Sequence, residues 1–595
     1  MNKLKKIFFL LNYQEKKEFF LVLVLMLVMA LLDTLGVVSI LPFIAVLSNP
    51  TLIETNSVLA YFYELSNSFG VNNSDQFLFL LGVVVFILLI TSITIRSITV
   101  YFQNNFVLML EYSISTRLIK SYLLQPYVWF LNRNSSDFGK NIISEVNLVV
   151  NGTMQPMMYL ISQTLVASAI LSMLFIVDKK LTFIVGTVMG LSYLTIFYFM
   201  KNILLHLGND RVKANESRFT IMMEAFGGIK ETKFLGLEKD YIDRFSKPSK
   251  IYARNTSLAA VIAQIPRNFI EGIAFGGMII LILNLMTLGQ GFISIIPIIA
   301  LYAFSGYRLL PALQQMYAAF TQLRFSGAGL DTLYKDIHDL EVSNKINRIT
   351  SSMQFTKSIT LKNVTFNYPN KKEAAIKNMS LSILAKSKVG IVGTTGSGKT
   401  TTIDIILGLL DPKEGNLLID EKIVTDSNKK SWQKNIGYVP QQIYLSDDTI
   451  SANIAFGLDK KNINIDSIEK AAKIANLHDF VISELPDGYD TIVGEKGIRL
   501  SGGQKQRIGI ARALYNNPLV IIFDEATNSL DNITEQSVMD AIDKLSNRMT
   551  IILIAHRLST VKNCDKIFLL EKGELKTTGK FEDLALTNRN FQNIN

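Results

Sequence analysis

"VGIVGTTGSGKT", residues 389–400, sets apolar strand-type residues in front of a glycine-rich turn that closes on Gly-Lys-Thr. A strand feeding a loop of this spacing into a helix is the setting in which G-x-x-x-x-G-K-[ST] holds nucleotide phosphates. Gly393, Gly396 and Gly398 let backbone N–H groups face phosphate oxygens, with Thr394, Thr395 and Ser397 between them. Lys399 is spaced to reach the terminal phosphates, the Thr400 hydroxyl to ligate Mg²⁺, and Thr401 opens the helix behind. The expected core is an α/β domain that binds ATP with Mg²⁺.

Other parts of an ATP-hydrolysing site follow in order. "LVIIFDEA", 519–526, is an apolar strand ending in acids. Asp524 suits the metal, and Glu525 is placed to polarise an attacking water. Gln441 in "IGYVPQQ" can contact metal or water, and Tyr368, 25 residues before the loop, offers a ring for adenine. His556 follows the apolar strand of "LIAHRLST". Alone, such a histidine is usually a satisfied core residue; beside these other parts it is read as a γ-phosphate contact. "LSGGQKQRIGIARAL", 500–514, then adds a second anion-receiving turn at Ser501, Gly502 and Gly503 ahead of a helix.

The first half differs in composition. The chain has 595 residues, 49% hydrophobic and 18% charged, and the apolar runs lie before about residue 320. Six segments are apolar enough to cross a ~30 Å hydrocarbon core: 20–46, 77–102, 157–177, 181–205, 267–287 and 292–317. Lys3, Lys5, Lys6, Lys16 and Lys17 precede the first, and residues 48–76 contain no Lys or Arg. Arg117, Lys120, Arg133, Lys140, Lys213, Arg218, Lys230 and Lys233 fill the next even-numbered loops. The positive-inside rule puts both termini in the cytoplasm, with Lys179 and Lys180 as a small violation. The net charge of +10 would suit nucleic acid, but the basic residues cluster beside apolar spans, so membrane lipids are the expected partner and nucleic acid is not. Cys564 is the single cysteine, which excludes a disulfide framework within the chain and a cysteine metal site.

Segments 103–125 and 206–226 still read as helical, so the central spans should run on into the cytoplasm to tips near 127–137 and 227–236. Residues 57–69, aromatic and nearly uncharged, read as a short outer helix at the lipid interface or packed on the loop. Within the spans lie Asp33, Arg96, Arg267, Glu271 and Arg308. A charge at the bilayer centre costs at least ~2.5–3.5 kcal/mol and so needs a partner or water. Arg267 and Glu271 are four residues apart and can pair; Asp33 can take one arginine. Either the charges are structural pairs, or the arginine surplus lines a wet cavity suited to a phosphate-bearing substrate.

The order Tyr368, Gly393–Thr400, Gln441, "LSGGQKQR", Asp524-Glu525, "NSLD" ending at Asp531, and His556 resembles a complete ATP-binding cassette, and with six fused spans the chain is similar throughout its length to a half-size ABC exporter. The resemblance implies a membrane all-α six-helix domain (1–325), a linker (326–357) and a RecA-like α/β cassette (358–595) with a helical subdomain near 450–515. It implies a homodimer in which Ser501, Gly502, Gly503 and Gln504 of one copy close on ATP held by the other. That accounts for a second cradle. "TIVGEKG" (491–497) resembles an exporter loop, with Glu495 at its acidic position. Thr400 and Lys496 stand where Ser and Arg are commoner, without loss of chemistry. "LLDTLGVVSILPFI", "IPRNFIEGI" and "YRLLPALQ" look like the spans of the bacterial lipid-linked oligosaccharide flippase of protein N-glycosylation. The expected activity is ATP-driven movement of an amphipathic, anionic substrate across a bacterial inner membrane. Peptide export, a lipid such as lipid A, or an ATP-gated regulator with little hydrolysis are the alternatives.

Overall fold

The computed structural model describes every residue except 1–2, 69, 134, 288–291, 342–352, 370, 372, 495–496, 526–531, 544–547, 556–557, 588–590 and 592–595. The chain forms two compact units, residues 1–125 with 134–344, and residues 126–133 with 345–595.

The first unit is helical. In hydrocarbon the backbone N–H and C=O groups must pair within their own segment, so apolar runs of this length become helices. They are α1 (Tyr13–Val38), α2 (Ile40–Ser48), α3 (Ser57–Asn67), α4 (Ser74–Leu123), α5 (Gln155–Val177), α6 (Lys179–Gly227), α7 (Glu238–Thr287) and α8 (Phe292–Phe325). The first predicted span is shared by α1 and α2, and α4 to α8 take the other five. Among the described residues, five stretches are long and apolar enough to cross a membrane, from Tyr13–Ser48 to Glu238–Gly277. The break after Val38 follows from Pro42, whose ring nitrogen cannot donate back to the Val38 carbonyl. α4, α6 and α7 run for 50, 49 and 50 residues. At 1.5 Å per residue each is about 75 Å long, over twice the thickness of the core they cross. The predicted tips are short helices, Tyr127–Phe130 and Ile229–Phe234. α3 is capped by Asn56, buries Leu59, and leaves Val58, Tyr61, Phe62 and Leu65 exposed, so it packs on the unit with one face and keeps an exposed apolar face on the other.

Two stretches of π-helix, Lys140–Glu145 and Val150–Met154, precede α5 and re-aim its faces. Close approach to α8 is made possible by glycines: a Cβ on Gly208 of α6 would sit 2.1 Å from the Phe325 carbonyl oxygen, and one on Gly152 would sit 2.2 Å from Ser326 Oγ. Met29, Ala30, Val37, Val166, Ala167, Ile170, Leu301 and Leu309 form the core shared by α1, α5 and α8. The stretch read as linker from residue 326 is helical as far as α9 (Gly327–Glu341). Its Leu330, Leu333 and Leu340 recur at helical spacing and are buried. It meets the helix Lys3–Leu10 through Phe9 on Tyr334 (5.1 Å) and Lys6 Nζ on Asp331 (2.6 Å).

The second unit contains two sheets. β1 (Ser358–Phe366), β2 (Ile376–Leu384), β4 (Glu414–Ile419) and β5 (Lys422–Ile423) form an antiparallel sheet in the order β2-β1-β4-β5. β3 (Lys388–Val392), β6 (Ile436–Val439), β7 (Val520–Asp524), β8 (Thr550–Ile554), β9 (Lys566–Glu571) and β10 (Glu574–Gly579) form the order β10-β9-β3-β8-β7-β6, parallel except for β10. β3, β7 and β8 are buried along their whole length, which is why they read as continuous apolar runs. α10 (Lys399–Ile406) follows β3, and the helical subdomain comprises α11 (Ile450–Ile454), α12 (Ile465–Ile474), α13 (His478–Glu484) and α14 (Gly502–Leu514). Residues 126–133 belong to this unit, where Val128 packs on the core holding Trp432.

The Gly208 contact is with backbone and has nowhere to give. Gly208→Ala should destabilise the protein by about 1–3 kcal/mol, read as a lower melting temperature in detergent. Gly190→Ala on the same helix meets no atom within 4 Å and should melt at or slightly above wild type, because alanine is the better helix former.

Candidate functional site

The site starts from strand register. Ile391 lies opposite Ile554, and Asp524 lies opposite the same Ile554, so β3, β8 and β7 end level. The phosphate loop leaves β3, Glu525 leaves β7, and both emerge on one edge of the sheet.

The loop has the backbone its glycines predict. Gly396 and Gly398 have φ of 80° and 99°, a region an L side chain adopts only with strain. A Cβ on Gly393 would lie 2.3 Å from the Leu570 carbonyl oxygen. Thr394, Thr395 and Thr400 are exposed at the rim, and Thr401 is buried. Lys399 Nζ donates to the carbonyls of Gly393 (2.7 Å) and Thr394 (3.2 Å), so the ammonium is folded over its own loop. Burial lowers its pKa, opposed by the negative charges of Glu525 and Asp524, which places both acids within electrostatic reach. Ser397 Oγ is buried without a hydrogen-bond partner among the described residues, an unmet hydroxyl inside the glycine-rich loop. Tyr368 joins the loop's helix through a 3.0 Å hydroxyl contact with Thr401 Oγ1.

Around the acids, Tyr438 on β6 donates to Asp524 Oδ2 at 3.2 Å. Its hydroxyl pKa is raised by burial and by the charges of Asp524 and Asp404. Asp404, on the inner face of α10, has its carboxyl pushed up to about 6 by burial, with the Asp524 charge adding to the effect. Glu525 sits at φ 52°, outside the ordinary region for a residue with a side chain. Its N–H donates to the Ile554 carbonyl at 3.2 Å. Gln441 Nε2 donates to Glu525 Oε2 at 2.8 Å, so two side chains picked independently from the sequence are in contact. The Glu525 carboxylate is thus held on one side by an amide and carried on a strained backbone, an arrangement seen where a group is fixed for use.

At the second cradle, Ser501 caps α14. Gln504 N–H donates to Ser501 Oγ (3.2 Å), and Ser501 N–H donates to Gln504 Oε1 (2.7 Å). This reciprocal capping box holds the turn open. Gly502 and Gly503 lie in the first helical turn, where N–H groups have no partner within the helix. Arg512 fastens the other end of α14, donating to the Asn453 carbonyl (2.8 Å) and the Tyr444 carbonyl (2.9 Å). His556, Asp531, Glu495 and Lys496 lie outside the described residues.

In the membrane unit the intramembrane charges separate into two kinds. Asp33, 2% exposed, accepts from Ser92 Oγ and pairs with Arg308 NH1 at 3.6 Å. Arg267 Nε pairs with Glu271 Oε1 at 2.8 Å on an exposed face. Among the described residues no carboxylate pairs with Arg96. It lines a cavity of about 550 Å³ with Gln103, Tyr159, Gln163, Gln315 and Gln322. Those amides, and Asp404 and Tyr438 beside Asp524, were not picked out from the sequence.

The ABC transporter family model matches residues 376–528, and the ABC transporter transmembrane region matches residues 37–311. The leukotoxin translocation ATP-binding protein of a Pasteurella haemolytica-like species (strain 5943B) is 30% identical over 506 residues, 84% of this chain and 70% of that one. The ATP-dependent lipid A-core flippase of Saccharophagus degradans is 30% identical over 507 residues, 82% of this chain and 83% of that one. The solved structure of a bacterial Atm1-family ABC exporter with ATP bound superposes with a TM-score of 0.75 at 21% identity, covering 94% of this chain and 97% of that one.

The Asp404 carboxyl, raised to about 6, carries a stability prediction. Above that pH it is ionised in both states, and the folded state bears the cost of a buried charge. Below about pH 4, the range of an unfolded aspartate, it is neutral in both. Asp404→Asn should therefore melt higher than wild type at pH 8, by the equivalent of about 1–2 kcal/mol after allowing for residual solvation. The advantage should shrink through pH 6 and vanish near pH 4 in a pH series of thermal melts.

Proposed function

Since the chain belongs to the ABC transporter family and hydrolyses ATP to drive transport across a membrane, we propose that it is an exporter that moves an amphipathic, anionic substrate to the outer leaflet, with a lipid-linked oligosaccharide as the leading class. The observation that carries the anionic reading is Arg96. It is a span arginine that no described carboxylate neutralises, and it lines a polar cavity. A charge within a span needs a partner or water, and a substrate anion in the cavity would supply one. The curated relatives are named for leukotoxin and for lipid A-core, so a peptide and another lipid are the competing substrates. The chain is proposed to sit in a bacterial inner membrane with both termini in the cytoplasm.

In this reading the backbone of Gly393–Gly398 cradles ATP phosphates, Lys399 swings from the Gly393 and Thr394 carbonyls to the terminal phosphate, and Tyr368 faces adenine. Mg²⁺ would be held by the Thr400 hydroxyl, Asp524 and Gln441, oxygen donors suited to a hard cation, and it supplies charge neutralisation at the phosphates. Glu525 accepts the proton of the attacking water. Gln441 fixes the carboxylate's direction, and the φ of 52° fixes its height above the sheet edge. His556 and Asp531 are assigned to the γ-phosphate and to the nucleotide by their place in the motif order. The Ser501–Gln504 turn is assigned to the ATP of a second copy in a homodimer. A helix N-terminus with unspent N–H groups is an anion receptor, and the chain's own cradle already has one.

Mixing variants tests the shared site. A Lys399→Ala chain paired with a Ser501→Arg chain puts both lesions in one site of the heterodimer and none in the other. The isolated heterodimer should recover about half of wild-type ATPase activity, and a random equimolar mixture about a quarter, while either homodimer stays inactive; a verified heterodimer without recovery speaks against the assignment.

Arg96 tests the substrate reading. Arg96→Gln should keep basal ATPase and lower flipping of a diphosphate-linked lipid in proteoliposomes by ten-fold or more. Arg308→Gln should instead leave Asp33 buried without its cation and cost about 3–5 kcal/mol of stability. Unchanged flipping by Arg96→Gln would replace the anionic substrate with a neutral one.

A further inference from the structure

The cavity beside Arg96 is more specific than an anion site requires. Its polar wall comes from three helices. Arg96 and Gln103 stand on α4, Tyr159 and Gln163 on α5, and Gln315 and Gln322 on α8. Small residues, Ala263, Ala318 and Ala319, line the rest along with apolar side chains. Carboxamides are unusual in a membrane interior because each must find partners for two N–H groups and an oxygen. Gln163 Nε2 meets this demand partly by donating to Gln315 Oε1 at 2.7 Å. Tyr159 Oη donates to Asn104 Oδ1 at 3.3 Å. Gln103 does not meet it. It is 1% exposed, it lines the cavity, and its Nε2 has no hydrogen-bond partner among the described residues. A buried amide donor left unmet is retained where a ligand or water completes it.

We propose that this pocket, formed within one chain, binds the first sugar of a glycan head group, with its hydroxyls and acetamido groups on Gln103, Gln163 and Gln315, next to the anion on Arg96. This rests on the reading of the chain as an exporter of an anionic amphipathic substrate and adds the neutral group recognised beside the charge. The lining favours carbohydrate. Amides offer donor and acceptor together, which matches a hydroxyl acting as both, and an aromatic residue is at hand for the apolar face of a sugar ring. A peptide side chain would call for a matching charge or a wholly apolar wall, and among the described residues Arg96 is the one charged group on this lining. About 550 Å³ lies in the range of small-ligand pockets, so the site takes part of a head group while the remainder stays outside.

The test uses the full-length protein in lipid nanodiscs. Binding is measured for undecaprenyl diphosphate carrying N-acetylglucosamine and for the same lipid diphosphate without sugar. Wild type should bind the sugar-bearing lipid at least ten-fold more tightly. Gln103→Met keeps the length and removes the unmet amide. It should erase that preference, leave the bare lipid's affinity unchanged, and melt no lower than wild type. Arg96→Gln should weaken both lipids alike. Failure of that last result alone would remove the anionic reading and leave the pocket's preference standing. The proposal is overturned if wild type shows no preference for the sugar. It is also overturned if Gln103→Met leaves the preference intact, which would make the amide's partner a water, or melts lower, which would make it structural. Tighter binding of an uncharged glutamine-rich peptide than of the sugar-bearing lipid, lost in Gln103→Met, would assign the pocket to peptide instead and overturn it.

Discussion

Three parallel strands that end level govern the cassette. β3, β7 and β8 are buried on both faces, so their register is set by packing and cannot slip without turning core residues outward. Because they stop at the same height, the phosphate loop and the acids are delivered to one edge without long loops to position them. The Glu525 N–H bond to the Ile554 carbonyl continues the ladder one step past the end of β7. Glu525 is thus fastened to the sheet itself, and its unusual φ is the consequence of turning sharply off a strand whose last residue is still paired.

The membrane unit is governed by a different economy. A span can carry a charge when it brings the counter-charge with it, as Arg267 does four residues before Glu271, or when another helix supplies one, as α8 does for Asp33 on α1. Among the described residues no carboxylate pairs with Arg96, and the polar side chains near it come from α4, α5 and α8. The π-helical stretches before α5 belong to the same problem. They rotate the faces of that segment, and Gly152 within the second lets it approach Ser326 closely.

Much of this was legible in the sequence because the decisive groups are close together along the chain. Gly393–Thr400 is a local pattern, and so are the apolar runs, the Asp524-Glu525 pair at a strand end and the spacing of Arg267 and Glu271. The Ser501–Gln504 capping box has a local signature too, Ser-x-x-Gln ahead of a helix. What escaped depends on distance. Gln103, Gln163 and Gln315 stand on separate helices and look like ordinary polar residues in each. Asp404 reads as one polar residue in an apolar helix, and only the fold sets it by Asp524 from a distant strand. Helix α9 lies within the stretch read as linker, and the burial of its three leucines needs a partner helix that the local sequence does not show.

The single cysteine has a practical consequence. Cys564 is 6% exposed, packed in the cassette core, where a Cβ on Gly390 would lie 3.5 Å from its sulfur. Thiol reagents therefore meet a chain that is nearly blank in its folded state. A cysteine placed at an exposed position, such as Tyr61 on α3 or Phe234 on the second helical tip, would be the dominant labelling site without removal of the native one. Spin labels or fluorophores can then follow distances between chosen points during turnover in a protein whose core is otherwise unaltered.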